Sequence, residues 1–510
     1  NLLFMKRLIL LLSGIFLSVS VAAQDGESPI SYKSLALQMS TLNANGDALS
    51  SVSTSVSSFN GYGSFIDNPA AMALADGSFY SLGWLNQNNT QSNGYIGSLN
   101  DTEFSNTTFG NLGLVYKVPT DRGSFVLGGG YNVISKDVDD TFIDATNQDN
   151  SITDLFKQSG SDYNGIAFEA FAVDYRNDMS NEIESIFRVD DRPAGFLGID
   201  QFAEIKNRRD IGEFSVFAST EFQKNLFAGI SLGIINGSIN YDRSFQEVDE
   251  NNFYNDDVIP PSGSDPATDI FSITLTDEID TEFFGFTARG GMIYKPLPFL
   301  NLGASIVSPS KFFVTESFYS NIRTEFDDDT FTDGDETTFF GEFEYAVTRP
   351  AEFKVGATLQ DIGNLTISAS AEYIDYSSTK VDFTINTGDL DPSDVAILKE
   401  DEDATNQSIS STYNAVINFK ASAAYSFNND TKIIAGYALL PGKEDFYQFE
   451  EVVYSGGLTF PIAENIFLDL SAQYSSRGDR SVIYEFEDNV QAVSKEKERL
   501  NILAGVKFRF

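Results

Sequence analysis

Three acidic runs are the first residues in this chain that could do chemistry. Asp327-Asp328-Asp329 and Asp333-Gly334-Asp335-Glu336 gather hard carboxylate oxygens near a glycine, the ingredients of a Ca²⁺ loop. Their spacing is not that of an EF-hand, so they read as solvated acidic loops, as does Glu400-Asp401-Glu402-Asp403. Gly128-Gly129-Gly130 has the glycines of a phosphate loop but lacks the Lys-Ser/Thr pair and the helix that must follow. The chain contains no His and no Cys. Ser-His and Cys-His nucleophiles, imidazole and thiolate metal ligands and disulfides are thereby removed together. A serine hydrolase would lack its base, and carboxylate pairs are too frequent here to mark an acid/base dyad. The reading is a non-enzyme with no catalytic residue, no metal site and no cofactor. Asn68-Pro69-Ala70 has a structural use: Asn68 suits a helix N-cap and Pro69 the first helical position.

Net charge is −41. Nucleic acid is an unsuitable partner, because phosphate binding needs clustered Lys and Arg. The N-terminus has the form of a secretory signal over residues 1–23. Lys6 and Arg7 precede an apolar run from Leu8 to Val21, and Val21-Ala22-Ala23 is a small-residue cleavage site before Gln24. The four residues ahead of Met5 have the look of an upstream artefact. The apolar run is shorter than the ~20 residues a spanning helix needs, and no later stretch approaches that length.

What positions any functional residue is a set of alternating segments. In Ala415 to Phe427 the apolar side chains Ile417, Phe419, Ala421, Ala423 and Tyr425 share one parity, and Asn418, Lys420 and Ser422 the other. Period-two alternation is a strand with one apolar face. Strand candidates fall near 78–88, 107–118, 123–135, 212–223, 226–242, 281–295, 299–313, 339–360, 365–376, 414–427, 431–440, 452–460, 466–475 and 499–510. The chain ends on Phe510. Fourteen is an even number, as a single-chain transmembrane barrel requires, and the connections alternate short and long. The parity of Phe343, Tyr345, Val347, Phe353, Val355 and Leu359 continues through Pro350, so 339–360 reads as one kinked strand with Arg349 on the lipid-facing side. The fold class expected is all-β: a 14-stranded antiparallel transmembrane β-barrel with an N-terminal hatch or plug in its lumen. Residues 24–77 form the hatch and 78–510 the barrel, with long extracellular loops at 136–211, 243–280, 314–338 and 377–413.

Local motifs carry a resemblance. Arg349-Pro350-Ala351-Glu352-Phe353-Lys354-Val355-Gly356-Ala357, followed by Ala371-Glu372-Tyr373, resembles the proline strand and next hairpin of the FadL/OmpP1/TodX family. Ala435-Gly436-Tyr437 and Ser455-Gly456-Gly457-Leu458 resemble its later strands, and Asn68-Pro69-Ala70 its hatch motif. Many members have a Gly/Ala-rich run before that motif, where this chain has the Ser-rich Ser50 to Ser58. The resemblance implies an outer-membrane transporter of a Gram-negative-type bacterium that takes up hydrophobic small molecules, such as long-chain fatty acids or hydrocarbons, passively. Ligand would be captured at outer loops, pass the hatch at Asn68, Pro69 and Ala70, and leave sideways near a kinked third strand. Gly128, Gly129 and Gly130 lie on that strand; they favour a bend, or relieve crowding against the hatch. The partners implied are outer-membrane lipid and a hydrophobic ligand, around a monomeric barrel. The alternative is a scaffold or shuttle subunit of an outer-membrane secretion or assembly complex, with outer-membrane protein partners docked on the large loops. A diffusion porin for polar solutes is disfavoured by the plug.

Overall fold

Alternation of this kind buries one face of each strand and exposes the other, and closure of the sheet leaves no unpaired edge. The computed structural model describes residues 32–42, 46–158, 161, 163–175, 183–187, 196–254, 269–334, 340–388, 390–427, 430–444, 448–486 and 489–510. The signal-like residues 1–23, and Asp335 and Glu336 of the acidic loop, lie outside the described residues.

Fourteen antiparallel strands close into a barrel. In chain order they are β1 Phe79–Tyr95, β2 Ser98–Val118, β3 Phe125–Asn147, β4 Ile199–Gln223, β5 Leu226–Val248 and β6 Ile270–Leu297. Next come β7, in two pieces Leu300–Val307 and Ser310–Phe326, and β8, in two pieces Phe340–Arg349 and Glu352–Ile362. The rest are β9 Leu365–Asp375, β10 Ala415–Ser426, β11 Lys432–Leu440, β12 Gln448–Ala463, β13 Ile466–Phe486 and β14 Asn489–Arg509. Pairing of β1 with β14 closes the ring.

The outward faces define a membrane belt. On β6, Phe284, Phe286, Met292 and Tyr294 are exposed, and Glu282 is the first outward charge beyond them. Ten steps at ~3.3 Å and a ~40° tilt make this band about 25 Å tall, the thickness of a barrel's apolar girdle. The strands run well past it. β3 and β4 take residues 136–147 and 199–211 out of the expected loop 136–211, and β13 and β14 span most of 476–498, the connection between the last two strand candidates. These extensions carry polar residues on both faces, which hides them from a search for apolar alternation.

The assignment around Pro350 needs correction. Val307 and Glu352 are paired, and Ser310 and Arg349 are paired, but Ser308-Pro309 and Pro350-Ala351 between them are not. Proline has no N–H to give to a ladder, so two prolines side by side interrupt both strands at one level. The two unpaired residues shift the phase. Tyr345, Val347 and Arg349 are buried, whereas Phe353 and Val355 are exposed. Arg349 therefore points inward, donating to Leu42 O at 3.0 Å and pairing with Glu352 at 3.2 Å, rather than facing lipid.

At the outer end, the connection after β3 folds into the barrel mouth. Helices α4 (Thr153–Phe156) and α5 (Asn164–Glu169) bury Phe156, Ile166 and Ala170 against Ile143 of β3, Phe245 of β5, Leu275 of β6, Ile322 of β7 and Val493 of β14. Glu247 of β5 anchors this cap. It accepts from Ser151 Oγ at 2.5 Å, Ile152 N at 2.8 Å and Gln201 Nε2 at 2.7 Å. Glu247 is fully buried, and burial pushes its carboxyl from 4.5 up to about 7 despite those donors. A carboxyl raised in the folded state contributes stability that is complete below 4.5 and is lost as pH rises through about 7. The shift corresponds to about 3 kcal/mol of preference for the protonated form. Hydrogen exchange across 151–175 should accelerate between pH 6 and 8 beyond the intrinsic base dependence, and Glu247→Gln should abolish the excess; an identical pH profile in both proteins would refute the anchor.

Candidate functional site

The lumen is occupied by the N-terminal segment, held by small residues and side chains with double duties. Asp47 caps α2 (Ala48–Val52), and its carboxylate also accepts from Tyr62 N at 3.0 Å and Gly63 N at 3.2 Å. Asn68 caps the 3-10 turn Pro69–Leu74 through Ala70 N at 2.9 Å. The same amide donates to Val56 O at 2.6 Å and reaches Met292 O of β6 at 3.2 Å. Pro69 O accepts from Ser219 Oγ of β4 at 2.5 Å. The Ser-rich run bonds to the opposite wall: Ser57 with Thr358 at 2.7 Å and Thr54 with Ser370 at 2.6 Å. Gly303 and Gly436 leave room for its backbone, since a Cβ on either would collide with Val56 O or Val52 O. Contacts to β4, β6, β8, β9 and β11 from one segment place it inside the ring.

Above it lies a packed apolar cluster. Ala36, Leu37 and Met39 of α1 (Tyr32–Ser40) pack with Ile134, Ile211, Phe283, Phe312 and Tyr345 from the wall. Helix α6 (Pro392–Thr412) adds Leu398 and Ile409 from the side. A layer of buried charge separates this cluster from the lower segment. Arg289 grips Glu213 through two nitrogens at 2.5 and 2.8 Å. Lys354 lies 2.7 Å from Glu372 and 3.8 Å from Asp67 of the N-terminal segment. Such charges are tolerated because each is paired. Among the described residues no group of three or more potential metal ligands comes together.

The third strand is where the wall changes. Gly128, Gly129 and Gly130 keep their pairing to β2 and to β4. Their lack of side chains makes room: a Cβ on Gly128 would strike the Phe217 ring, and one on Gly130 the Tyr62 hydroxyl. The ladder between β2 and β3 stops just beyond, at Asn111 and Asn132. A bulge follows between Val133 and Ser135. From there β3 continues with β4 but passes on the lumen side of the β1–β2 hairpin. Gln91 of β1 and Thr102 of β2 both donate to Asp140 O, at 2.8 and 2.7 Å.

Beyond this seam the β2-facing edge of β3 is held by side chains, ion pairs among them, while its other edge keeps the backbone ladder to β4. Asp137 accepts from Arg209 at 3.0 and 3.1 Å and from Arg499 of β14 at 2.7 Å. Asp139 pairs with Lys497 and lies 3.6 Å from Lys495. Asp479 of β13 joins through Lys497 at 3.3 Å and Arg477 at 3.2 Å. None of these residues was singled out from sequence: all but Arg499, the first residue of the last strand candidate, fell between strand candidates. The available signal was Lys495, Lys497 and Arg499 at alternate positions in a strongly acidic chain.

No family model and no curated protein matches this sequence. Among solved structures, a Pseudomonas aeruginosa FadL homologue aligns over 92% of this chain and 98% of its own, at 13% identity and a TM-score of 0.50. The chain shares the fold of this FadL homologue. The toluene transporters TodX of P. putida and TbuX of Ralstonia pickettii align over 92% of this chain and 99% of theirs, at 15% and 14% identity, each with a TM-score of 0.48. On this FadL-type barrel, the break in the β2–β3 ladder and the ionic contacts that replace it are the features to test first.

Removing one partner from a buried ion pair costs about 3–5 kcal/mol. Asp137→Asn should therefore loosen β3 from β14. Because the chain has no cysteine, Thr102→Cys is a background-free reporter. Its maleimide labelling should speed up on the order of a hundredfold in the Asp137→Asn background, and an unchanged rate would remove the ionic contacts as the closure. Asn68→Ala should cost about 1 kcal/mol or more through the lost cap, read as a lower urea midpoint for release of the N-terminal segment.

Proposed function

We propose that this protein is an outer-membrane channel for passive uptake of hydrophobic small molecules, long-chain fatty acids or hydrocarbons. The N-terminal segment acts as its hatch, with Asn68, Pro69 and Ala70 fixing the hatch to the wall. Ligand moves past the apolar cluster around α1 and leaves sideways between β2 and β3, above Gly128, Gly129 and Gly130.

The observation that carries this reading is the end of the β2–β3 ladder at Asn111 and Asn132. Asn132 pairs with Glu213, which stands opposite Ile235 and, through it, Gly285, inside the apolar belt. An interrupted ladder within lipid leaves backbone groups to be satisfied by other means, either by burial against protein or by lining a passage; unlike the break at Pro309 and Pro350, this one does not resume, which supports a passage here. Ile134, at the bulge, belongs to the same buried cluster as α1, so cluster and seam share one stretch of β3. The route is therefore short: a ligand that displaces side chains of this cluster meets the strand that ends the wall.

A disulfide across the seam separates this reading from others. Asn106 Nδ2 of β2 approaches Lys136 O of β3 at 3.5 Å. Asn106→Cys with Lys136→Cys should reduce uptake of radiolabelled oleate or an aromatic hydrocarbon in cells lacking the native gene, and a reductant should restore it. Uptake unaffected by the lock would sink the lateral route. No uptake of any hydrophobic compound by the unlocked protein would sink transport itself, and a stoichiometric partner on gentle extraction would then favour the scaffold role.

A further inference from the structure

The β1–β2 hairpin stands above the membrane belt with one edge open. Asn106 lies beside Lys136 O at 3.5 Å. Lys136 is level with Asp210, Ser238 and Glu282, the first outward charge beyond the apolar band. The part of β2 from Ser105 to Ser98 is therefore on the water side. β1 pairs with β14 up to Gly94. Among the described residues, β2 above Asn111 pairs only with β1.

Register decides which backbone groups are open. Ile96-Gly97 joins the closing pair Tyr95 and Ser98, and both turn residues have positive φ, 44° and 83°. This is a two-residue type I′ turn, whose closing pair exchanges both backbone bonds. Ser98, Asn100, Thr102 and Phe104 therefore bond to β1. Leu99, Asp101, Glu103 and Ser105 turn N–H and C=O to the open side, and their side chains are exposed. Native edges are usually blunted by Lys, Pro or a bulge. From Ser98 to Ser105 this edge has neither residue and no break in register. The tip is unusual as well. Such turns favour Asn or Gly, and a β-branched residue at positive φ is strained. Ile96 holds that position with its side chain 46% exposed, beside Leu99 at 71%. Strain kept at an exposed apolar tip marks a contact surface.

We propose that the β2 edge from Leu99 to Ser105 docks an extended basic segment of a second protein at the cell surface, which adds to the sheet as a strand. Backbone bonds hold such a segment and alternate side chains select it. Charge names the occupant. Asp101 accepts from Ser92 Oγ at 2.5 Å, and among the described residues neither Asp101 nor Glu103 forms an ion pair. A strand on this edge sets its own side chains opposite both, where Lys or Arg is favoured and Asp or Glu repelled. An apolar residue at the next alternate position meets Leu99. A second copy of this chain fits poorly, since two β2 edges paired about Thr102 set Asp101 against Glu103. This surface does not depend on the transport reading.

The test offers the full-length barrel in detergent a dye-labelled peptide of about eight residues, a usual strand length, with Lys at two alternate positions and Val at the next. Fluorescence anisotropy should show binding, and Glu in place of both Lys should weaken it about tenfold or more. N-methyl groups on the peptide residues that face the edge should abolish it. Asp101→Asn with Glu103→Gln, both surface changes, should weaken binding about fivefold in a barrel that keeps its heat-modifiable mobility; if that variant is not a closed barrel, the methylated peptide decides. At peptide ten times Kd, the amides of Leu99, Asp101, Glu103 and Ser105 should exchange about tenfold more slowly, and those of Asn100, Thr102 and Phe104 should not change. No binding, binding indifferent to peptide charge or methylation, or protection without this alternation overturns the proposal. Protection of the same four amides by self-association of the barrel also overturns it, by giving the edge to a second copy.

Discussion

Everything in this structure answers to one constraint: in lipid, every backbone N–H and C=O must find a partner within the protein. A closed ladder meets it, and fourteen strands with β1 joined to β14 provide one. The informative places are those where the ladder is incomplete. At Pro309 and Pro350 two strands break side by side, so each break faces another break and the pairing resumes at once on both sides. Ser308 N is still satisfied, by Ala288 O of β6 at 2.9 Å. Between β2 and β3 the interruption is never repaired by backbone. Side chains take over, first the amides and hydroxyls of Gln91 and Thr102, then the ion pairs of Asp137 and Asp139.

That substitution has a physical consequence. Backbone ladders separate cooperatively and at high cost, whereas a few side-chain contacts can be traded one at a time. A wall joined by ions is the softer part of a barrel. The same holds within the lumen, where the N-terminal segment is attached by serine hydroxyls, Asn68 and the contact of Asp67 with Lys354 rather than by a continuous sheet. Glycines at 303 and 436 let its backbone approach the wall, and the serine run supplies polar groups small enough to use that space.

Much of the barrel was legible in the residues. Strand number and the apolar parity of the membrane belt followed from alternation, and the Asn68 cap from its residue type. The two-residue break at Pro350 was not legible, because an interruption that shifts parity on one strand looks like continuity until the neighbouring strand is known. Arg349 changed sides for that reason. The extended outer strands were hidden because polar residues occupy both of their faces, one toward water and one toward the cap or the charged seam. Asp137, Asp139, Lys495 and Lys497 were hidden with them.

The sequence by itself determined what each strand turns toward lipid, since the pleat alternates and hydrocarbon selects apolar side chains wherever it touches them. It also determined what chemistry is excluded, because a chain without His or Cys cannot build the sites that need them. Only the tertiary structure decided what happens inside and between strands. Which carboxylate meets which cation, where β3 leaves β2, and how the N-terminal segment reaches β6 and β8 depend on residues tens to hundreds of positions apart. Such pairings are fixed by register and closure, which no local pattern records.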